Sequence, residues 1–272
     1  MKRTARAAAA DLSHCIVRSA IAPLFSEASL RSEQVSQLVL GETASVEETA
    51  AAWRRVRGDH DGYRGWVHAG YVVETDPVAA DRWRREALGW SLGATLLVAG
   101  QRLRLPLRAR GALEGDRVRL PDGRHAEVVE GDMPPAADVS AAARGKPAER
   151  WALEHFQGAP YEWGGVTPCG VDCSGLVQTT YAARGVALPR DAALQVEQGD
   201  PVPLDAARPG DLLFFRGESG DRITHVAFAA EGDSLIHATV SCGGVLWEPW
   251  TPGTRAAVLR ERLVAVRRLA AQ

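Results

Sequence analysis

No run of about 18 apolar residues occurs anywhere in this sequence, so no membrane-spanning helix is expected. Cysteine is scarce. Cys15, Cys169, Cys173 and Cys242 are the only four in 272 residues, and none forms a Cys-x-x-Cys pair. A disulfide framework is therefore excluded. Cys169 and Cys173 are four apart, but the histidines that would complete a zinc site lie about fifty residues downstream at strand-like spacing, so no metal is expected. Charge of either sign is not in excess: the formal net charge is −2, and nothing implies a nucleic-acid or anionic-membrane partner. Arginine far outnumbers lysine without gathering into a basic block, which reads as a coding bias. A secretory h-region is also missing. The chain starts Met-Lys-Arg, and the apolar run that follows is broken by Arg6, Asp11 and His14. The expected location is cytoplasmic.

What is present changes character along the chain. Residues 1–26 form an alanine-rich lead. From residue 27 to 75, short alternating runs (Gln34 to Leu40, Ala44 to Glu48, Trp53 to Arg57, Gly65 to His68) are separated by turn signals such as Asp61-Gly62, the pattern of a small β-barrel. A helical joint and a second such unit follow over 76–131, with Pro121-Asp122-Gly123-Arg124 as a turn. The Pro-, Ala- and Gly-rich stretch 132–147 reads as a linker. Residues 148–272 then read as an α+β domain. Helices are expected over 148–157 and 174–184, and strands over 211–215, 222–230, 234–239 and 258–262.

The chemistry concentrates in this last segment. Cys173 stands between Asp172 and Ser174 where the second helix begins, with Leu176, Val177, Thr180 and Tyr181 on one face of it. A helix N-terminus favours thiolate over thiol, which would depress the Cys173 pKa from about 8.5. His225 and His237 lie in two apolar strand-like runs twelve residues apart, a spacing that sets two rings on neighbouring strands. One is then the base for the thiol and the other the group that orients it. Each residue also has a plain structural reading: Cys173 as packing, Asp172 as a helix cap, His225 as a core histidine. The Trp163-Gly164-Gly165 turn upstream and the paired histidines downstream favour the nucleophile.

Tyr161-x-Trp-Gly-Gly, Asp172-Cys173-Ser174-Gly175-Leu176-Val177, Leu188-Pro189-Arg190, Arg208-Pro209-Gly210-Asp211-Leu212, His225-Val226 and Ile236-His237-Ala238 together resemble the NlpC/P60 family of papain-like cysteine peptidases, in the family's order over about residues 150–268. The segment from Glu33 through Trp53 to Gly62-Tyr63-Arg64-Gly65-Trp66 is similar to a bacterial SH3 domain. The fold expected is therefore α+β: a papain-like NlpC/P60 catalytic domain preceded by two small SH3-like β-barrels. The resemblance implies Cys173 as nucleophile, His225 as base, His237 as the polar third residue, and Tyr161 beside the Cys173 N–H as an oxyanion donor.

Two SH3-like units before such a domain resemble the γ-D-glutamyl-L-diamino acid endopeptidases of murein peptide recycling. That likeness implies a first barrel closing one end of the groove, so that only peptides with a free N-terminal L-alanine fit. Asp172 would meet the ammonium group, with Ser174, Trp163, Tyr63 and Glu33 around it. No cofactor is implied, the partner is a murein tripeptide or a related wall peptide, and the oligomeric state is left open. Where the family often has Ser or Thr after Pro189-Arg190-Asp191, this chain has Ala192. Two rival readings are a secreted peptidoglycan hydrolase with wall-binding SH3 domains and a non-catalytic wall-fragment-binding protein.

Overall fold

The computed structural model describes residues 13–269. Two antiparallel sheets come first. The first has seven strands in the order Gln34–Val39, Ile21–Phe25, Arg64–His68, Trp53–Gly58, Thr43–Ala50, His14–Val17 and Val72–Thr75. Alternating side chains (Cys15, Val17, Leu24, Leu38, Val56, Val67) point into one small core, as period-2 patterning requires. The second has six strands in the order Gln101–Arg104, Thr95–Val98, His125–Glu130, Arg117–Arg119, Leu107–Glu114 and Gly89–Leu92, around Leu96, Val98, Val118 and Leu120. Each sheet curls around its own core, but neither closes: the two end strands are not paired with each other. The two small SH3-like units expected from sequence are thus present as open barrels.

The helix Pro77–Glu86 joins the two. Asp76 caps it, accepting from the Ala79 N–H at 2.8 Å, and Trp83 is buried with its Nε1 donating to the Gly41 carbonyl at 2.8 Å. That one indole anchors the joint helix to the first sheet.

The third unit is a six-stranded antiparallel sheet in the order Asp200–Val202, Leu263–Arg268, Leu212–Arg216, Ile223–Ala230, Ser234–Thr239 and Gly244–Pro249. Helices Ala136–Arg144, Ala148–Phe156 and Cys173–Ala183 cover one face through Trp151, Phe156, Leu176, Val177, Tyr181, Phe214 and Phe228. Helix Arg255–Arg260 covers the other with Leu213, Phe215, Leu235 and Leu259. Almost every side of Cys173–Ala183 is buried, so its polar residues bond internally: Thr179 Oγ1 donates to the Val166 carbonyl and Thr180 Oγ1 to the Leu176 carbonyl, both at 2.8 Å.

Three expectations need correction. Residues 14–25 are not a lead: His14–Val17 and Ile21–Phe25 are strands of the first sheet, paired with its later strands, while residues 1–12 lie outside the described part. Each strand is too short, and the second is interrupted by Pro23, so only long-range pairing decides their state. Within 132–147, Ala136–Arg144 is a helix with Val139 and Ala143 buried on the core of the third unit. Finally, 258–262 is not a strand. Thr254 caps a helix there by accepting from the Ala257 N–H at 3.1 Å, and the strand begins at Leu263.

Candidate active site

Cys173 is the first residue of its helix, and Asp172 is the N-cap, accepting from the Gly175 N–H at 2.7 Å. Glycine is required at 175, because a Cβ would collide with the Gly165 carbonyl oxygen. Gly164 has φ +76° and lies against the Gln34 backbone of the first sheet, so the Trp-Gly-Gly turn is the point where that sheet meets the site.

The two histidines are neighbours. Phe228 opposes Ile236 in the antiparallel register, which sets His225 and His237 on a diagonal across adjacent strands. His225 Nε2 is 3.0 Å from His237 Nδ1. That contact leaves the His225 Nδ1 unoccupied, and the backbone at Val226 and Ser174 stabilises the charged form of the Cys173 thiol. His237 is fully buried, and its Nε2 lies 3.3 Å from Glu248 Oε2, short of a well-aligned hydrogen bond. Glu248 is held in turn by the first turn of the helix Arg255–Arg260, accepting from the Arg255 N–H at 2.9 Å and the Ala256 N–H at 2.7 Å. The line of side chains thus runs His225, His237, Glu248, and Cys173 lies beside the backbone of Val226, the residue after His225. Sequence reasoning missed Glu248, whose only signal was an acid placed between tryptophans in a late strand.

Burial dominates the protonation of this line. It pushes the Cys173 thiol up to about 12, with the Asp172 charge adding to the rise. It pushes His225 down to about 3, helped by Arg255, and His237 down to about 3, helped by His225 and Arg255. A helix start favours the thiolate, but here desolvation, the largest influence on Cys173, raises its pKa instead. Tyr161 is half-buried near Cys173, and burial followed by the charges of Cys173 and Asp172 raises its pKa, so its hydroxyl stays a donor.

Asp172 does not face an empty ammonium site. Arg190 binds it with Nη2 to Oδ2 at 2.5 Å and Nη1 to Oδ1 at 3.0 Å, and both side chains are buried. The Gly164 N–H at 2.9 Å and Ser174 Oγ at 3.2 Å also donate to it. The carboxylate needs a cation, as the sequence argument held, but Arg190 supplies it. Ser174 Oγ, expected beside the substrate, also accepts from Arg190 Nη1 at 2.8 Å.

A cavity of about 500 Å³ opens beside Cys173. Asp172, Ser174, Arg190 and Asp191 line one wall, and Glu33 and Tyr63 of the first sheet line another, with Trp163 between. Trp163 Nε1 donates to Glu33 Oε1 at 2.7 Å. The first sheet is clamped there: Gln34 and Gln37 both donate to Glu162 Oε1, at 2.9 and 3.0 Å, and Arg190 Nε donates to Ser36 Oγ at 3.1 Å. Burial raises the Asp191 pKa, partly offset by Arg190 and by a hydrogen bond from Tyr63, whose own pKa burial pushes up to about 12. Ala192 lies in the same wall with no polar group to offer. Cys169 is exposed and free in the turn before Cys173.

Comparison with known proteins agrees with this architecture. The model of the NlpC/P60 family matches residues 158–266, and that of the bacterial dipeptidyl-peptidase SH3 domain matches residues 24–70. A γ-D-glutamyl-L-lysine dipeptidyl-peptidase of Bacillus subtilis is 44% identical over 84 residues, covering 30% of this chain and 28% of the relative. The enzyme of the same name from Bacillus cereus is 28% identical over 235 residues, covering 75% and 66%. The probable endopeptidase NlpC of Escherichia coli is 40% identical over 92 residues, covering 34% and 60%. This chain therefore spans under two thirds of the length of each of these relatives. An NlpC/P60 family protein from Bacillus cereus has the same fold, with a TM-score of 0.75 at 22% identity, over 94% of this chain and 99% of that one. The chain carries an NlpC/P60 family domain at residues 158–266 behind a bacterial SH3 domain at residues 24–70.

Proposed function

We propose that this protein is a cysteine endopeptidase of wall peptides that cleaves the bond between γ-D-glutamate and a diamino acid in murein peptides with a free N-terminal L-alanine. The single observation carrying this reading is the cavity that joins Cys173 to Glu33 and Tyr63 of the SH3-like sheet, since it ends the groove on the acyl side. Two relatives bear the name γ-D-glutamyl-L-lysine dipeptidyl-peptidase, which fits such a substrate.

The chemistry follows from the residues. As substrate fills the cavity, His225 takes the thiol proton and the Cys173 sulfur attacks the γ-carbonyl carbon. Charge develops on the carbonyl oxygen, where the Cys173 N–H and the Tyr161 hydroxyl donate. The C–N bond breaks as the His225 imidazolium passes its proton to the leaving amine. A water activated by His225 then hydrolyses the thioester and restores the thiol. His237 and Glu248 act as positioning residues that hold the His225 ring and favour its cationic form.

The free ammonium end is read by Glu33 and Asp191 with the Tyr63 hydroxyl, while the Asp172–Arg190 pair shapes the wall beneath them. A substrate with a blocked amine loses those contacts to the two carboxylates. Recycling of wall fragments in the cytoplasm is the setting that this specificity suits. Mass spectrometry of L-Ala-γ-D-Glu-meso-diaminopimelate incubated with the protein tests the reading. Release of the diamino acid is expected, absent in Cys173→Ala and lost on N-acetylation of the substrate. Equal cleavage of the acetylated peptide would point instead to a hydrolase of polymeric wall. No cleavage of either would sink the peptidase reading.

A further inference from the structure

A second cavity, of about 150 Å³, is lined by His225 and adjoins the one that meets Glu33 and Tyr63. Thr224 lines both, so the two are the halves of one groove divided at the His225 strand. Tyr161 and His225 border the second half. A leaving amine must take its proton from the imidazole, so the amino acid behind the scissile bond departs on this side. That much rests on the proposed peptidase reading.

The lining of this half is cationic. Arg216, Arg255 and Arg262 converge on it, with Glu218 as the one carboxylate and Thr239 and Ser241 as neutral hydrogen-bonding groups. Arg262 donates to Glu218 at 3.1 Å. Arg216 and Arg255 form no ion pair among the described residues, and Arg255 Nε is buried without a hydrogen-bond partner. A half-buried guanidinium with an orphaned N–H beside a cavity is a site waiting for an anion, since burying such a donor unpaired is costly. The same guanidinium opposes protonation of His225. A carboxylate bound to it would therefore ease the proton transfer that the leaving group needs.

We infer that Arg255 and Arg216 form a carboxylate-binding subsite for the leaving amino acid, which selects a diamino acid bearing a second carboxylate, of the diaminopimelate type, over lysine. A diaminopimelate residue with a free C-terminus brings two carboxylates and one ammonium, against one of each for lysine. Three arginines facing one glutamate match the first set better than the second. Glu218, already turned toward Arg262, is the partner for the distal ammonium.

The test compares L-Ala-γ-D-Glu-meso-diaminopimelate with L-Ala-γ-D-Glu-L-Lys, as kcat/KM on the wild-type chain and as calorimetric affinity on Cys173→Ala. A preference of at least tenfold for the diaminopimelate peptide is expected in both, carried mainly by KM. Arg255→Gln and, separately, Arg216→Gln should each collapse that ratio toward one. A general folding defect would lower both substrates and preserve the ratio, which counts against the subsite. Equal cleavage and equal binding of the two peptides by the wild type overturns the subsite and leaves the peptidase reading intact. Arginine-dependent binding of the diaminopimelate peptide without cleavage supports the subsite and sinks the peptidase reading. Neither binding nor cleavage overturns both.

Discussion

Arg190 binds Asp172 through both oxygens, 2.5 Å from Oδ2 and 3.0 Å from Oδ1, in the wall of the cavity that holds Cys173. The acid that caps the helix Cys173–Ala183 is thus neutralised from within the protein. The pair comes from segments 18 residues apart. Arg190 also reaches Ser36 of the first sheet, so a single guanidinium ties the helix start, the cavity wall and the docked sheet together.

Arg190→Met should therefore destabilise the fold strongly, by about 3–5 kcal/mol, because it strands a buried carboxylate. Asp172→Asn combined with Arg190→Met should cost much less than the sum of the single changes. Urea unfolding of the three variants measures this. Additive losses would show that the pair is not energetically coupled.

Glu248→Gln should lower kcat by about one to two orders of magnitude while leaving KM near its wild-type value, since the acid acts through His237 on the proton-transfer step and touches no substrate. Steady-state kinetics on the diaminopimelate tripeptide reads both parameters. A change confined to KM would place Glu248 outside the proton-transfer machinery.

Stability should fall in acid. His225 and His237 are held near 3 in the fold against an ordinary value of 6.5, so the unfolded chain binds protons that the folded one refuses. Their contribution is fully present above about 6.5 and drains away between there and about 3, each ring adding about 1.4 kcal/mol per pH unit to the slope. Denaturant titrations from pH 7 to 4 should show this steepening. His237→Gln should remove about half of it.

Alkylation of Cys173 in the substrate-free protein should climb through alkaline pH, because burial keeps the thiol protonated up to about 12. Rates of iodoacetamide labelling at Cys173, followed by peptide mass spectrometry from pH 5 to 10, give the profile. A plateau extending below pH 6 would reveal a preformed thiolate–imidazolium pair instead.

Glu162→Ala should loosen the SH3-like sheet from the site. It deprives the Gln34 and Gln37 amides of their shared acceptor, a loss of about 1–3 kcal/mol for donors left unpaired at an interface. KM should rise as the Glu33–Trp163 wall loses its support. Unchanged stability and KM would mean that the docking does not rely on Glu162.

Much of the site was readable in the linear chain where its physics is local. A cysteine after an N-cap aspartate and before an apolar helical face defines a helix start, and the structure has it there. Two histidines in apolar runs twelve residues apart predict adjacent strands, and their rings meet at 3.0 Å. Glu33, Tyr63 and Trp163 do line one cavity with Cys173. Residues 14–25 were misread because their short segments carry weak periodicity and strand partners far along the chain decide their state; over 258–262 the helix started by the Thr254 cap takes the place of the expected strand.

Sequence alone determined the order of units, the cysteine at the helix start and the paired imidazoles, because each rests on spacing within one or two consecutive elements. Tertiary structure decided the charges. Asp172 needed a cation, and only folding showed that Arg190, not a substrate, provides it. Glu248 behind His237, and the arginines beyond His225, likewise come from separate strands and a helix brought together by the sheet. Burial then reversed the protonation expected of Cys173. Desolvation and ion pairing depend on what surrounds a group in three dimensions, and no local pattern encodes that.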